Sequence, residues 1–232
     1  MQRSGCFGMR IAILLAVGTI ALFIFGVNGI YNGVKYREPV TLTYAQFLQQ
    51  KPTAGWYHIT GALMNVVEEV HIYDKNKHSD GDLAVEGLTR AYIPVCDAKT
   101  FDAAAFLEKK NSPSTFLLLH SNDPEIANTI KDMAAQVGGN PTPEQAETYL
   151  NKNKNKLFLK KDIDGMVKSG LGSETSEVKR LLDSNIQNLE SDYVILDEGA
   201  KPSLGAGVGM LLLGLVLAAA QVLFYARQRM SR

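Results

Sequence analysis

Pro202-Ser-Leu-Gly-Ala-Gly-Val-Gly-Met-Leu-Leu-Leu-Gly-Leu-Val-Leu-Ala-Ala-Ala-Gln-Val-Leu-Phe-Tyr-Ala226 carries no charge in 25 residues. As a helix rising about 1.5 Å per residue, its 204–226 portion is long enough to cross a bilayer core of roughly 30 Å. Three arginines follow at once, Arg227, Arg229 and Arg232. Such a tail is held on the cytoplasmic side, so it sets the direction of threading.

The N-terminal end repeats the pattern. Arg3 and Arg10 lie in a short tail (1–10), and no charge follows from Ile11 to Val34. A cleaved export signal has the same basic start and apolar run. The run is longer than a usual signal core, however, and Phe25-Gly26-Val27-Asn28-Gly29 makes a poor cleavage site, so residues 11–30 are expected to be an uncleaved signal anchor. Basic tails at both ends then place the two termini in the cytoplasm and residues 31–203 outside. Lys35 and Arg37 oppose that orientation, and Glu38 partly offsets them.

Charge is partitioned to match. All 24 acidic residues lie within 31–203 against 19 Lys and Arg, which leaves that part at about −5, while the other five basic residues are in the tails. A mildly acidic domain is the wrong sign for binding nucleic acid. Its 173 residues are enough to bury one core. Cys6 and Cys96 fall on opposite sides of the membrane in this threading and cannot pair. There is no Asn-x-Ser/Thr acceptor with a permitted middle residue, which favours a bacterial cytoplasmic or an organellar inner membrane over a glycosylated cell surface.

Between the anchors the pattern predicts an α+β domain: a mixed sheet with flanking helices. Thr43 with Gln46, and Thr142 with Gln145, have the spacing of capping boxes, the second opening a helix to about Leu150. Trp56–Leu63 and Val66–Tyr73 read as strands meeting near Met64-Asn65, with Glu68 and Glu69 tilted to solvent. Ala91–Cys96 reads as a strand whose Pro94 belongs at an edge or bulge, and Thr100–Lys110 as a short helix. Thr115–His120 is uniformly apolar, as a central strand should be. Asp123-Pro124 opens a helix whose buried stripe is Ile126, Ile130, Met133, Ala134 and Val137. Leu157–Leu159 and Tyr193–Leu196 read as strands, and Val178, Leu181, Leu182, Ile186 and Leu189 as the apolar face of the last helix of this region.

Four patterns invite a chemical reading. His71, Asp74, His78, Asp80 and Asp82 are all metal-ligand types in one stretch, and Asp74-x-Asn76-x-His78 echoes a calcium loop. Ser79 stands where that loop needs glycine, and no Glu closes it, so a polar loop is the plainer reading. Asp162-Ile-Asp164-Gly165 has two carboxylates without a third and reads as a turn. His120-Ser121-Asn122-Asp123 joins a strand to a helix N-terminus, where free N–H groups attract anions, although any strand-to-helix joint looks alike. Without a G-x-S-x-G, Ser121 is no nucleophile, and Cys96 reads as core. Lys152, Lys154 and Lys156, with Lys160 and Lys161, suit either anionic headgroups or an acidic partner, but a solvated loop and strand face is commoner. No cofactor motif is present: Gly205-Ala-Gly-Val-Gly209 opens an apolar span and has no βαβ context.

Small residues mark a helix-packing surface instead. Gly205/Gly209 and Gly29/Gly33 are G-xxx-G pairs, and Gly18, Gly26 and Gly214 add places for close approach, within the chain or with a partner subunit. The layout is similar to that of a family of respiratory-oxidase assembly factors, which likewise hold one exported domain between two anchors; the resemblance assigns no residue. The expectation is a non-enzymatic two-pass membrane protein whose outer domain binds or scaffolds another membrane or envelope component. The alternatives are an exported metal-dependent hydrolase built on the His71–Asp82 stretch, and a lipid- or small-molecule-binding sensor, for which the inside tails are short.

Overall fold

The computed structural model describes residues 4–73, 88–107, 113–137, 142–170 and 174–230. The chain forms two compact units, Met1–Glu38 with Pro202–Arg232, and Pro39–Lys201.

The first unit is a helix pair, α1 (Ser4–Lys35) and α7 (Leu204–Met230). Both contain stretches long and apolar enough to cross a membrane, Ile13–Lys35 and Leu204–Leu223. They run antiparallel: Gly33 lies against Leu204, Gly29 against Gly207, Gly26 against Leu211 and Leu22 against Gly214.

The second unit is α+β, with a nine-stranded mixed sheet and flanking helices. β1 (Val40–Thr43), α2 (Tyr44–Gln50) and β2 (Ala54–Thr60) form a β-α-β unit in which β1 and β2 are parallel. The Thr43/Gln46 capping box closes in both directions, and Lys51 ends α2 in the left-handed region. Next come β3 (Ala62–Asn65), a 3-10 turn (Val66–Glu68), β4 (Val70–Tyr73), β5 (Leu88–Asp97), α3 (Ala103–Leu107) and β6 (Thr115–Ser121). α4 (Pro124–Val137), α5 (Pro143–Leu157), β7 (Phe158–Lys160), β8 (Ile163–Ser169), α6 (Ser176–Asn185) and β9 (Leu189–Glu198) complete it. The strand order is β1-β2-β8-β9-β6-β5-β3-β7, with β4 also on β5.

β6 is central for a physical reason. Phe116, Leu117 and Leu119 enter a core built with α2 and α4, through Tyr44, Phe47, Ile126 and Ile130. Leu118 enters a second core with Leu182 and Ile186 at α6. Both faces are covered, so the strand does not alternate. Burying each leucine contributes about 2 kcal/mol. A third cluster, Leu63, Cys96, Phe106, Tyr149, Leu157 and Phe158, ties α3 and α5 to the β3 side.

Several expectations change. The strand read from Trp56 to Leu63 breaks at Gly61, whose φ of +71° suits glycine, and β2 and β3 join different neighbours. The break expected near Met64-Asn65 is the 3-10 turn Val66–Glu68, which starts just after it. The Glu69 side chain is not tilted to solvent: it is 4% exposed and bonded to His71. Pro94 lies inside the sheet but beside a gap in it, so the expected edge is local and on one side only. On one side it opposes Leu118; on the other, β4 reaches back to Tyr92 and β3 begins at Val95, so no ladder bond is owed there. α5 runs to Leu157 rather than Leu150, because Tyr149, Asn153 and Leu157 share its inner face, Asn153 bonding the Tyr149 carbonyl. Lys152, Lys154 and Lys156 are therefore helical and exposed, the last two in the final turn, where cations suit the helix dipole. Asp164-Gly165 lies in β8, a strand the sequence reading left out, and Leu189 belongs to β9.

Candidate functional site

Two places concentrate chemistry, the carboxyl ends of β6 and β9 and the seam of the helix pair. β6 and β9 are parallel, with His120 opposite Asp197. The carboxyl ends of parallel strands are where such sheets commonly place binding groups.

His120 Nδ1 and Asp197 Oδ1 are 2.9 Å apart, and the Lys168 ammonium donates to the other Asp197 oxygen. Ser121 Oγ donates to Glu198 and accepts the Asp123 N–H at 3.0 Å. Lys161 Nζ donates to Asp123 and Glu198, both at 3.0 Å. Asp123 also accepts the Glu125 N–H at the start of α4. Tyr92 stacks on the His120 ring at 5.4 Å. Burial pushes the Asp197 carboxyl up, but the bonds from His120 and Lys168 outweigh it and hold the group below its ordinary range. Asp123 is lowered by the Glu125 N–H and Lys161, and Lys161 is raised by Glu198 against its own burial and by Asp123.

Three carboxylates thus meet two lysines and a histidine, and the strand-to-helix joint presents carboxylates rather than an anion cradle. Ser121 is next to His120 in sequence but bonds Glu198, so no Ser-His-Asp relay forms. His120 Nε2 is buried without a hydrogen-bond partner among the described residues. The network clasps α4, β6, β8 and β9 together.

Of the metal-ligand types in the 71–82 stretch, His71 is in β4 and pairs with Glu69. Asp74, His78, Asp80 and Asp82 lie outside the described residues. Among the described residues no group of three or more His, Cys, Asp or Glu side chains could hold a metal. Asp162 accepts the Gly61 N–H at 3.1 Å and Asp164 pairs with His58 at 2.8 Å, so these two carboxylates do not converge. Cys96 is buried, and burial pushes its thiol up to about 12, which keeps it protonated and unreactive.

In the helix pair a Cβ at Gly26, Gly29 or Gly33 would stand 2.8 Å from backbone of α7, and one at Gly214 would stand 3.4 Å from Leu22. Gly18, Gly205 and Gly209 have open space there. Gly207, not singled out in the sequence, is the tightest: its Cβ would meet the Ile30 nitrogen at 2.5 Å. Spacing could have found it. Gly26 and Gly33 are seven apart, as are Gly207 and Gly214, the repeat of a left-handed helix pair. Among the described residues one side-chain hydrogen bond crosses the seam: Gln221 Nε2 donates to Thr19 Oγ1 at 2.9 Å, and Thr19 donates to the Leu15 carbonyl. Gln221 was visible as the lone amide in the charge-free run, but its partner was not.

The chain matches no family model, and no curated protein or solved structure is significantly similar to it.

Proposed function

We propose that the chain is a two-pass integral membrane protein whose sheet domain lies outside the cytoplasm and binds or scaffolds another membrane or envelope component. One observation carries the membrane part. Of the twenty large apolar side chains exposed among the described residues, nineteen are on α1 and α7, and Val40 is the exception. Outward-facing apolar surface on that scale needs lipid or protein around it. The basic tails orient the pair with both termini in the cytoplasm of a bacterial cell or the matrix side of an organelle. Binding rather than turnover is favoured because the carboxylates, lysines and Ser121 at the β6 and β9 ends are engaged with one another.

The test is topological. The chain should resist alkaline carbonate extraction, and in a Cys96→Ser background an impermeant maleimide should label Lys152→Cys from outside intact cells but reach Cys6 only after lysis. Release by carbonate, or labelling of Lys152→Cys only after lysis, overturns the reading. In mild detergent a scaffold should migrate as an assembly larger than one chain. A lone monomer removes the scaffolding role and leaves the topology standing.

A further inference from the structure

α1 carries two tracks of residues at the spacing of a helix–helix seam. Thr19, Leu22, Gly26, Gly29 and Gly33 repeat at intervals of three and four and meet α7. Gly18, Ala21, Phe25, Asn28 and Asn32 precede them by one residue each, so they form a second track about 100° round the same helix. A three-and-four repeat is the pattern on which a supercoiled partner helix packs. α7 does not cover this second track: Gly18, Phe25, Asn28 and Asn32 are exposed, and a Cβ at Gly18 would meet nothing within 4 Å.

Two members of the open track are amides. The apolar stretch Ile13–Lys35 has 23 residues, and Asn28 lies about 6 Å and Asn32 about 12 Å along the axis from its middle. Both are within the half-thickness of a bilayer core, about 15 Å. The seam with α7 satisfies its own polar groups, Gln221 bonding Thr19 and Thr19 the Leu15 carbonyl. Among the described residues neither the Asn28 nor the Asn32 side chain has a hydrogen-bond partner. An amide turned toward hydrocarbon without a partner is costly, and a facing helix relieves it by bonding across the interface.

We propose that this track is the contact between two copies of the chain, α1 beside α1 in parallel, with Asn28 and Asn32 of each copy bonded to those of the other. Copies threaded the same way meet about a two-fold axis along the bilayer normal, which brings identical residues together at one depth. An amide both donates and accepts, so in that arrangement it complements itself. A different helix would have to carry amides at both depths. α7 offers none, since Gln221 is the only amide between Leu204 and Leu223 and is already engaged. Gly18 and Ala21 let the two backbones close up along the rest of the track, and a buried Asn in such a seam fixes its register and the number of strands. The pairing presupposes the two-pass reading above.

The test is cross-linking of the full chain in membranes, in a Cys6→Ser, Cys96→Ser background. Under an oxidant that enters the bilayer, Ala21→Cys should give a disulfide-linked species of twice the chain's mass. Ile20→Cys, exposed at nearly the same depth but turned about 100° away, should give none. Asn28→Leu with Asn32→Leu should cut the Ala21→Cys cross-link about tenfold, and Asn28→Gln with Asn32→Gln, which keeps the amides, should retain most of it. Leucine suits a membrane helix, so the leucine variant should stay inserted. Carbonate extraction of the same membranes separates the two ways of failing. A chain that stays inserted but does not cross-link, cross-links equally from Ile20→Cys, or cross-links undiminished without its amides overturns the pairing and leaves the topology standing. Cross-linking of Ala21→Cys to a protein of another mass also overturns it and assigns the track to a different helix. Release by carbonate overturns both.

Discussion

The helix pair and the sheet domain solve opposite packing problems. Along α1 and α7 the buried positions are small, Gly26, Gly33, Gly207 and Gly214, and the large side chains point out. In the sheet domain the large side chains, Phe116, Leu117, Leu118 and Tyr92, are the buried ones. On the membrane reading proposed above, the difference follows from what surrounds each unit. Water drives large apolar groups inward, so the domain is held by area removed from water. Where the surroundings are themselves apolar that drive is gone, and helices associate through backbone contact that only small residues allow.

The contrast can be broken at its strongest point first. Leu117→Ala, at a fully buried position of β6, should cost the domain about 2–5 kcal/mol in a denaturant melt of the full chain in detergent. Leu213→Ala, whose side chain is exposed on α7, should leave that melt unchanged. Comparable losses would mean that the two units share one packing rule.

The second test concerns the seam. The Cβ positions of Leu22 and Gly214 are 3.4 Å apart, close enough for a disulfide, so Leu22→Cys with Gly214→Cys should cross-link on oxidation. Adding Gly207→Leu should suppress the cross-link by overpacking at a cost of about 1–3 kcal/mol. Adding Gly209→Leu, where a Cβ meets open space, should not. If both act alike, the seam is not where the glycines place it.

A third prediction sharpens the domain side. Burial lifts the Glu68 carboxyl to about 7 from 4.5, and the bond to Glu69 lifts His71 above 6.5 against its own burial. Both groups hold protons more tightly folded than unfolded, so their stabilisation is full at low pH and is lost as pH rises through the folded values. Domain stability should therefore fall as pH rises from about 4.5 to about 7 through Glu68, and fall further above 6.5 as His71 loses its proton. Glu68→Gln should flatten the lower part of that slope and His71→Gln the upper part. Asp123 and Asp197 are lowered from 3.8 and act in the opposite sense, but only when pH falls below that value. A melt independent of pH across the window would remove the assignment. The smallest effect belongs to the seam's polar contact: Thr19→Val should weaken the helix pair by about 0.6 kcal/mol, read as a small drop in the same cross-link.

How much was legible depended on range. The capping boxes at Thr43 and Thr142 were visible because three residues contain the whole interaction. β8 was missed because Asp162 and Asp164 suggest a turn until Gly61 and His58 arrive as partners from a strand about a hundred residues away. Glu69 was misjudged for a different reason. Its partner His71 is only two residues away, but the burial of the Glu69 side chain, which a carboxylate tolerates only when paired, is not visible in the local pattern. The network at His120 could not be foreseen, since Lys161, Lys168, Asp197 and Glu198 are brought to it by strand order.

From the sequence by itself came the two apolar helices, the acidic domain between them, the α+β class and the central place of Thr115–His120. These depend on composition and short-range periodicity, which the chain carries wherever it goes. The tertiary structure alone decided which glycines touch, that Gly207 matters more than Gly205 or Gly209, and that Ser121 answers to Glu198. Those are choices of register between distant segments, and register is set by the packing of the whole unit.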